Sequence, residues 1–472
     1  MDPFPAELWL EVCSHLPPAA RRSLSSTHRT LYDIARPLGF AEFTLYTYPN
    51  GFHPRRAQLD DALERLRFWT SPRIAPHVRL CFTREVTHLW QRSTSAQKDH
   101  SEHVLITAFF ERMPHFTGLE RLHADGIRFT RTGTINLCGL PALRYLEVSG
   151  RTTLIQEHVD PAVTLRVANM KMRLDYPTEN AWFSVLSRDT LRELNLPYAL
   201  ALAKSDVTPF PNVRTLRTGG LPDMIHAVQI FSKFPNLRSF SSPYGDTLWN
   251  LTPAQELSIF PVLEEYTGTH QNLRIFVQRG TLTRITLVSR PAFTDFITEL
   301  QGITALPNIT FLAVRFRTTA RDTFDKAEIE ALFTLFPYLT ELQLTLTPAE
   351  EFSLIPKKNG ERLDWQISSF LKIIPLSPLP STLHSLTLKW EVSIYETEYE
   401  PTPPRLPELP DLAGLRAELT AKCPALTYIF LDGSLFLFLW CKTSSVYEAA
   451  AYCTSDAKAV REQLERNRVV YR

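Results

Sequence analysis

A short phrase of alternating apolar and polar positions recurs through the body of the chain. A clear early copy is residues 141–148, PALRYLEV, which reads as proline, any residue, then L-x-x-L-x-L. The last two apolar positions alternate with polar ones, which predicts a short strand with one buried face. Other copies begin at Thr117, Asp189, Pro211, Pro235, Pro261, Gly280, Pro307, Pro337, Ser381 and Pro424, with a degenerate copy at Pro161.

The residues before several copies carry a helical stripe of apolar side chains. Examples are Leu332, Phe333 and Phe336 before Pro337, and Ile230 and Phe231 before Pro235. The order helix, proline, strand returns every 20 to 30 residues or so, a period typical of leucine-rich repeats. One such unit cannot bury its core alone, so neighbouring units have to stack.

The chain therefore resembles a divergent leucine-rich-repeat protein. The resemblance implies an α/β repeat fold, an irregular solenoid with parallel strands on the concave face and helices outside. A non-repetitive α/β fold with parallel strands could produce the same string and is the competing interpretation.

Three short helices are predicted before the repeats. Leu8, Trp9, Val12 and Leu16 recur at helical spacing, and the double proline that follows Leu16 stops that helix. A second helical pattern is predicted to end at Arg36-Pro37. Such short helices bury little core by themselves, and Trp9 beside Leu8 leaves apolar surface for a partner.

The order of residues in this region resembles the F-box. The matching positions are Pro5, Glu7, Leu8, Trp9, Val12, Leu16, Pro17, Leu24, Arg29 and Leu31. Two positions depart from the family pattern: Phe4 stands where leucine is usual, and Arg21 stands where a leucine would help to seat the adaptor. An ordinary helical hairpin packed on its own domain is the alternative interpretation.

F-box proteins with leucine-rich repeats are substrate receptors of SCF-type cullin–RING ubiquitin ligases. The resemblance implies that the chain binds a Skp-family adaptor, and cullin through it, while the repeats hold a target protein. The implied adaptor contacts are Pro5, Leu8, Trp9, Val12, Leu16, Pro17, Leu24 and Leu31. The alternative is a protein-binding scaffold outside a ligase with a weak or lost adaptor contact, which Arg21 keeps open.

The target is expected on the strand residues that alternate with the buried leucines, Arg121, His123 and Glu147 among them. Aromatic and arginine side chains dominate binding energy in protein interfaces. The predicted target contacts are therefore Tyr145, Arg217, Phe311, Arg315, Tyr428 and Phe430.

These patterns divide the chain into segments. We predict an F-box in residues 1–45, linking irregular repeats in 46–110 and the solenoid in 111–445. Inserts interrupt the solenoid at 349–379 and 391–412, the second rich in proline and acidic residues. A capping helix is predicted within 446–472, through Ala457 to Glu465.

Composition excludes several function classes. A net charge of +1 gives no whole-chain argument for nucleic-acid or anionic-membrane binding. The N-terminus has no basic and apolar leader, and the six cysteines form no C-x-x-C pair, so we expect reduced thiols and a cytoplasmic or nuclear location.

Catalytic chemistry is not expected. The chain contains no phosphate-binding glycine motif and no G-x-S-x-G. His100 and His103 could share a helical face but lack H-E-x-x-H spacing, so we expect no metal site and no cofactor. The chain is predicted to be a binding protein and not an enzyme.

Overall fold

In the computed structural model the chain divides into two units, Met1–Asn236 and Leu237–Arg472. The structure describes residues 5–47, 56–85, 101–150, 152–154, 163–174, 179–203, 207–220, 224–243, 252, 255, 259–300, 302–303, 305–318, 326–348, 370–390, 411–432, 436–442 and 446–451.

The first unit begins with three helices and continues as strands that alternate with helices. Its helices are α1 Ala6–His15, α2 Pro18–Thr27, α3 Arg29–Gly39, α4 Arg56–Trp69, α5 Ser101–Arg112, α6 Arg131–Cys138, α7 Glu179–Val185 and α8 Met224–Phe231. Its strands are β1 Glu42–Thr47, β2 Leu80–Glu85, β3 Arg121–Asp125, β4 Arg128–Phe129, β5 Tyr145–Gly150, β6 Thr153–Leu154, β7 Asn169–Leu174, β8 Glu193–Tyr198 and β9 Thr215–Gly220.

The main sheet of this unit is parallel throughout and runs β1-β2-β3-β5-β7-β8-β9. The short strands β4 and β6 pair with each other in a separate parallel sheet. Strands that follow one another in the chain lie side by side in this sheet, and parallel pairing requires each connection to return the chain to the same end of the sheet.

The repeated phrase produces this geometry. Its apolar positions are buried in every clear copy, as Leu143, Leu146 and Val148 illustrate. The backbone repeats as well, because one carbonyl at the start of each strand accepts two N–H groups from the next repeat. Glu120 O accepts from Arg144 N and Tyr145 N at 2.9 and 3.0 Å. The predicted α/β repeat of parallel strands is confirmed.

Prolines and a histidine set several of the ends of the three N-terminal helices. Leu16 is extended and ends α1, and Pro18 occupies the first turn of α2, where a missing N–H costs nothing. The His28 ring accepts a hydrogen bond from Thr30 N at 3.1 Å and caps α3. The prediction of an end at Arg36-Pro37 was wrong: α3 continues to Gly39, because a proline in the last turn removes just one intrahelical hydrogen bond.

The sheet starts earlier than the sequence predicted. Strand β1 begins at Glu42, inside the segment assigned to residues 1–45, and pairs in register with β2. Within 46–110, the helical pattern around Leu63 and Leu66 lies in α4, and the alternation near residue 80 lies in β2. The described residues of this segment include α4, β2 and most of α5.

The second unit is a further strand–helix series. Its strands are β10 Ser239–Ser241, β11 Glu265–Gly268, β12 Arg284–Leu287, β13 Phe311–Thr318, β14 Glu341–Pro348, β15 Ser385–Trp390, β16 Tyr428–Asp432, β17 Phe436–Cys441 and β18 Val446–Ala451. Its helices are α9 Leu273–Val277, α10 Phe293–Glu299, α11 Lys326–Leu335 and α12 Leu412–Lys422. Strands β10 to β16 pair in parallel, in chain order.

The end of the second unit differs from the prediction. Strand β17 pairs antiparallel with β16, and β18 pairs antiparallel with β17. Residues 446–451 are therefore a strand, where a capping helix was expected to begin. Three residues separate β16 from β17 and four separate β17 from β18, too few for the crossover that parallel pairing needs. The helix predicted through Ala457 to Glu465 lies outside the described residues.

The inserts are described in part. Residues 349–369 and 391–410 lie outside the described residues. The end of the first insert belongs to the core, since Phe370 is buried and its ring meets Trp390 edge to face at 6.1 Å. The end of the second insert starts α12, where the Asp411 carboxylate accepts from Gly414 N at 2.8 Å as the N-cap.

Candidate functional site

The main sheet of the first unit has an open face, defined here as the face whose side chains alternate with the buried core positions. On β3, β5 and β7 these side chains are His123, Glu147 and Lys171, which lie directly opposite one another across the strands. Opposed side chains on neighbouring strands approach closely enough to interact. A row of polar and aromatic side chains therefore crosses the sheet.

A carboxylate organises this row. Glu147 Oε2 is 3.0 Å from His123 Nδ1 and accepts from the Tyr145 hydroxyl at 2.9 Å. Glu147 Oε1 is 2.9 Å from Lys171 Nζ and 3.4 Å from Arg173 Nε. We call these five residues the Glu147 cluster. Since an ionised carboxylate only accepts hydrogen bonds, the His123 ring carries a proton on Nδ1.

Aromatic rings and guanidinium groups flank the Glu147 cluster. The Phe82 ring on β2 stacks on His123 with centroids 4.7 Å apart, and His123 lies 5.3 Å from the Tyr145 ring. The Arg84 guanidinium lies 4.9 Å from the Phe82 centroid, and that of Arg121 lies 5.6 Å from the Tyr145 centroid. Both separations are within the range of cation–π attraction, which holds these cations in place.

The cluster perturbs its own titrating groups. Burial lowers the pKa of His123, and Lys171 and Arg121 add to that effect, while Glu147 opposes it. The pKa of Glu147 is also lowered: burial would raise it, but hydrogen bonds from Lys171 and Tyr145 and the nearby cations outweigh burial. Burial and the bond to Glu147 raise the pKa of Tyr145 to about 12. At neutral pH the cluster holds a neutral imidazole, a neutral phenol and a charged carboxylate.

The three N-terminal helices carry a second candidate surface. On α1, Leu8 and Val12 are one helical turn apart and are 48% and 41% exposed. Pro5 and Pro17 are exposed as well, while Trp9, Leu16, Leu24 and Leu31 are half-buried. An apolar stripe on α1 therefore faces outward from this part of the chain.

The Arg21 side chain is held by hydrogen bonds within the three helices. Its guanidinium donates to Cys13 O at 3.0 Å, Leu16 O at 3.1 Å and Leu38 O at 3.4 Å. These carbonyls lie at the ends of α1 and α3, so the side chain ties three helices together.

The second unit has its own open face, with less charge at its centre. Arg284 lies 3.4 Å from Glu265, and its guanidinium is 4.0 Å from the Phe311 centroid. The row that contains Thr286 continues as Ala313, Gln343, Thr387 and Phe430.

The six predicted target contacts differ in how exposed their side chains are. Arg217 and Arg315 are exposed, and Tyr145 and Tyr428 are half-buried. Phe311 and Phe430 are buried, and Phe430 is only 2% exposed. Phe430 lies between Thr387 and Leu439 on the adjacent strands, and its side chain presents little surface in this structure.

Sequence reasoning missed Phe82, Lys171 and Arg173. Lys171 and Arg173 lie on β7. The sequence indicates a degenerate repeat at Pro161 but does not predict where the strand of that repeat lies. The signal is present as Val167-x-x-Met170-x-Met172, in which valine and methionine replace leucine. All three apolar residues are buried.

Among the described residues, no group of three or more His, Cys, Asp or Glu side chains is arranged to hold a metal ion. His100 lies outside those residues. In the same part of the chain, no helix is both long and apolar enough to cross a membrane.

No family model matches the chain, and no curated protein matches it. Among solved structures, a leucine-rich-repeat protein of Leptospira interrogans matches 68% of this chain and 68% of its own, with 15% identity and a TM-score of 0.30. A structure of the Rad7–Elc1 complex of yeast matches 63% of this chain and 76% of its own, with 14% identity and a TM-score of 0.29. TM-scores this low carry no argument about function.

Proposed function

We propose that the chain is the substrate-recognition subunit of an SCF-type cullin–RING ubiquitin ligase. Helices α1 to α3 act as an F-box that docks a Skp-family adaptor, and cullin joins through that adaptor. The strand–helix units bind the target protein. The chain carries out no bond chemistry and raises the effective concentration of target lysines near the ubiquitin-loaded E2.

The observation that carries the proposal is the apolar stripe on α1. Leu8 and Val12 are large, apolar and about half exposed, and the exposed Pro5 precedes them on the same helix face. Neighbouring apolar side chains exposed on one helix face provide surface that a partner protein would cover. Its residues are also those that match the F-box pattern.

Arg21 is compatible with this role. In the family pattern its position is apolar, and a free guanidinium there would weaken an apolar seat. Three hydrogen bonds to backbone carbonyl oxygens hold the Arg21 guanidinium at the ends of α1 and α3. Arg21 therefore stabilises the arrangement of helices in which Leu8 and Val12 are exposed.

Co-purification with a Skp-family adaptor tests the proposal. We compare wild type with Leu8→Ala/Val12→Ala, two residues whose exposure lets them be shortened without opening the core. Losing two half-exposed aliphatic contacts is expected to cost about 2 kcal/mol, or roughly 30-fold in affinity. Val104→Ala/Ile135→Ala is the matched control, because these residues are comparably exposed on α5 and α6.

A stoichiometric complex that the Leu8/Val12 variant weakens and the control variant retains supports the receptor function. A folded wild-type chain that forms no complex overturns it. The repeats would then be a protein-binding scaffold independent of the adaptor.

A further inference from the structure

We propose that the open face around the Glu147 cluster binds an extended, Asp- and Glu-rich segment of a partner protein. This inference deepens the proposed function by naming the class of target, and rests on it only in calling that partner a target. The binding itself needs no adaptor.

Charge is the first argument. On β2, β3, β5 and β7 the open-face side chains include four cations, Arg84, Arg121, Lys171 and Arg173, and two carboxylates, Asp125 and Glu147. His123 adds no charge while its ring is neutral. The local surplus is two positive charges, although the whole chain is nearly neutral at +1. A segment that supplies two carboxylates would balance this surplus.

The direction in which the charges point is the second argument. Glu147 has a side chain that is only 12% exposed, and Asp125 accepts from the Ser149 hydroxyl at 3.0 Å. The cations extend further: Arg173 is 65% exposed, and Arg84 and Arg121 are exposed as well. A partner that approaches this face meets guanidinium groups before it meets carboxylates.

Preorganisation is the third argument. Arg84 is held over Phe82, Arg121 over Tyr145, and Arg173 against Glu147. A side chain that is already positioned loses less entropy on binding. Guanidinium groups pair with carboxylates through two parallel hydrogen bonds, which gives geometric selectivity as well as attraction.

The same contacts argue against single-stranded nucleic acid. Such ligands bind by stacking bases on accessible aromatic faces in a basic groove. Here the Phe82 ring is covered by His123 and by Arg84, and Tyr145 contacts His123 and Arg121. The rings position cations and leave no platform for bases.

A binding assay with defined peptides tests the proposal. The probe is a fluorescent peptide of about twelve residues with Asp or Glu at alternate positions, and its partner is the same peptide with Asn and Gln. Full-length protein is titrated at low ionic strength and again at about 0.15 M salt, where charges separated by more than about 8 Å are screened. We expect anisotropy to report binding of the acidic peptide alone, and salt to weaken it.

Two double variants assign the binding to this face. Arg121→Gln/Arg173→Gln is expected to weaken binding at least tenfold. Arg128→Gln/Arg131→Gln removes the same charge from exposed residues on β4 and α6 and is expected to retain full binding. The reversed variant Arg121→Glu/Arg173→Glu is expected to lose the acidic peptide and to bind a lysine-rich counterpart, a gain that misfolding could not produce.

Several outcomes would overturn the proposal. They are equal binding of the acidic and amide peptides, equal loss in both arginine-to-glutamine variants, binding only when the peptide is phosphorylated, and tighter binding of an RNA oligonucleotide of equal charge. Adaptor co-purification is a separate readout. Failure of the peptide assay with a stable adaptor complex would reject this inference alone, and the reverse result would reject the proposed function alone.

Discussion

The Arg21 guanidinium donates through Nε to the carbonyl oxygen of Cys13 at 3.0 Å and so holds the end of α1 against α2. The last carbonyls of a helix have no partner within the helix, and a cation at that end also interacts favourably with the helix dipole. Arg21 supplies hydrogen bonds to two such oxygens of α1 and to Leu38 O of α3. A residue that departs from the family pattern thus adds side-chain hydrogen bonds to the backbone cap that Leu16 N–H provides at Cys13 O.

Substituting Arg21 with alanine is therefore expected to loosen α1. Removing the guanidinium donors from these part-buried carbonyls costs about 1–3 kcal/mol, although Cys13 O keeps the Leu16 N–H at 3.3 Å. We expect amide hydrogen exchange in residues 6–15 to accelerate, while exchange in the sheet stays unchanged. Arg29→Ala, which removes an exposed arginine at the start of α3, is the control. Unchanged exchange in α1 of Arg21→Ala would show that the three bonds do not position the helix.

The titration of His123 is expected to report the state of the Glu147 cluster. In wild type, the pKa of His123 lies below its ordinary value of 6.5, chiefly because of burial. Glu147 is the group that opposes this shift, so Glu147→Gln is expected to lower the pKa of His123 further. Histidine-selective NMR, recorded as a function of pH for wild type and variant, measures the change in the pKa of His123.

The lowered pKa of His123 also makes the stability of the fold depend on pH. Because the fold favours the neutral imidazole, the contribution of His123 to stability is complete above pH 6.5 and declines as the pH falls below it. The lowered pKa of Glu147 acts in the same direction at still lower pH, since its stabilising charge is lost on protonation. A rise in the pKa of His123 in Glu147→Gln would contradict this account.

The sequence alone predicts the strand–helix repeat, but it does not predict the position of every strand. Alternating leucines predicted which side chains are buried, as with Leu194 and Leu196, because burial follows strand periodicity directly. The strand that contains Lys171 and Arg173 was missed since its core positions are Val167, Met170 and Met172. A search that treats leucine as the marker overlooks chemically equivalent apolar residues.

The candidate site was harder to predict for a different reason. Tyr145 was predicted as a contact, and Glu147 was placed on the same face, but nothing in the local sequence joins Glu147 to Lys171, which is 24 residues away and directly opposite it. Register across strands depends on the length of each intervening loop and helix. The burial of Phe430 is equally non-local, because its neighbours Thr387 and Leu439 come from other strands of the sheet.

Replacing Phe430 with alanine is expected to lower stability and not merely binding. A buried phenylalanine truncated to alanine costs about 3–5 kcal/mol through lost burial and the cavity left behind. The urea midpoint of the second unit, followed by circular dichroism, should fall accordingly. Tyr338→Ala, at an exposed aromatic residue of the same unit, should leave the midpoint nearly unchanged. An unaltered midpoint in Phe430→Ala would mean that the ring is accessible after all.

Gly133 shows the cost of close packing within a helix. Alanine is favoured over glycine in a helix interior by about 1 kcal/mol, so Gly133→Ala on α6 would ordinarily stabilise. A Cβ atom at this position, however, would lie 2.8 Å from Cγ and Cδ2 of the buried Phe110 ring. Overpacking of that kind costs about 1–3 kcal/mol, so we expect a net loss of stability in thermal unfolding.

Gly139, at the end of the same helix, provides the matched comparison. A Cβ atom there would meet nothing closer than the Ile135 carbonyl oxygen at 3.4 Å, and its φ of −80° is open to any residue. Gly139→Ala is therefore expected to be neutral or stabilising by up to about 1 kcal/mol. Phe110→Leu added to Gly133→Ala should recover part of the loss, because the smaller side chain removes the ring atoms that the methyl group meets. A double-mutant cycle measures this coupling, and a value of zero would show that the helix and Phe110 adjust independently.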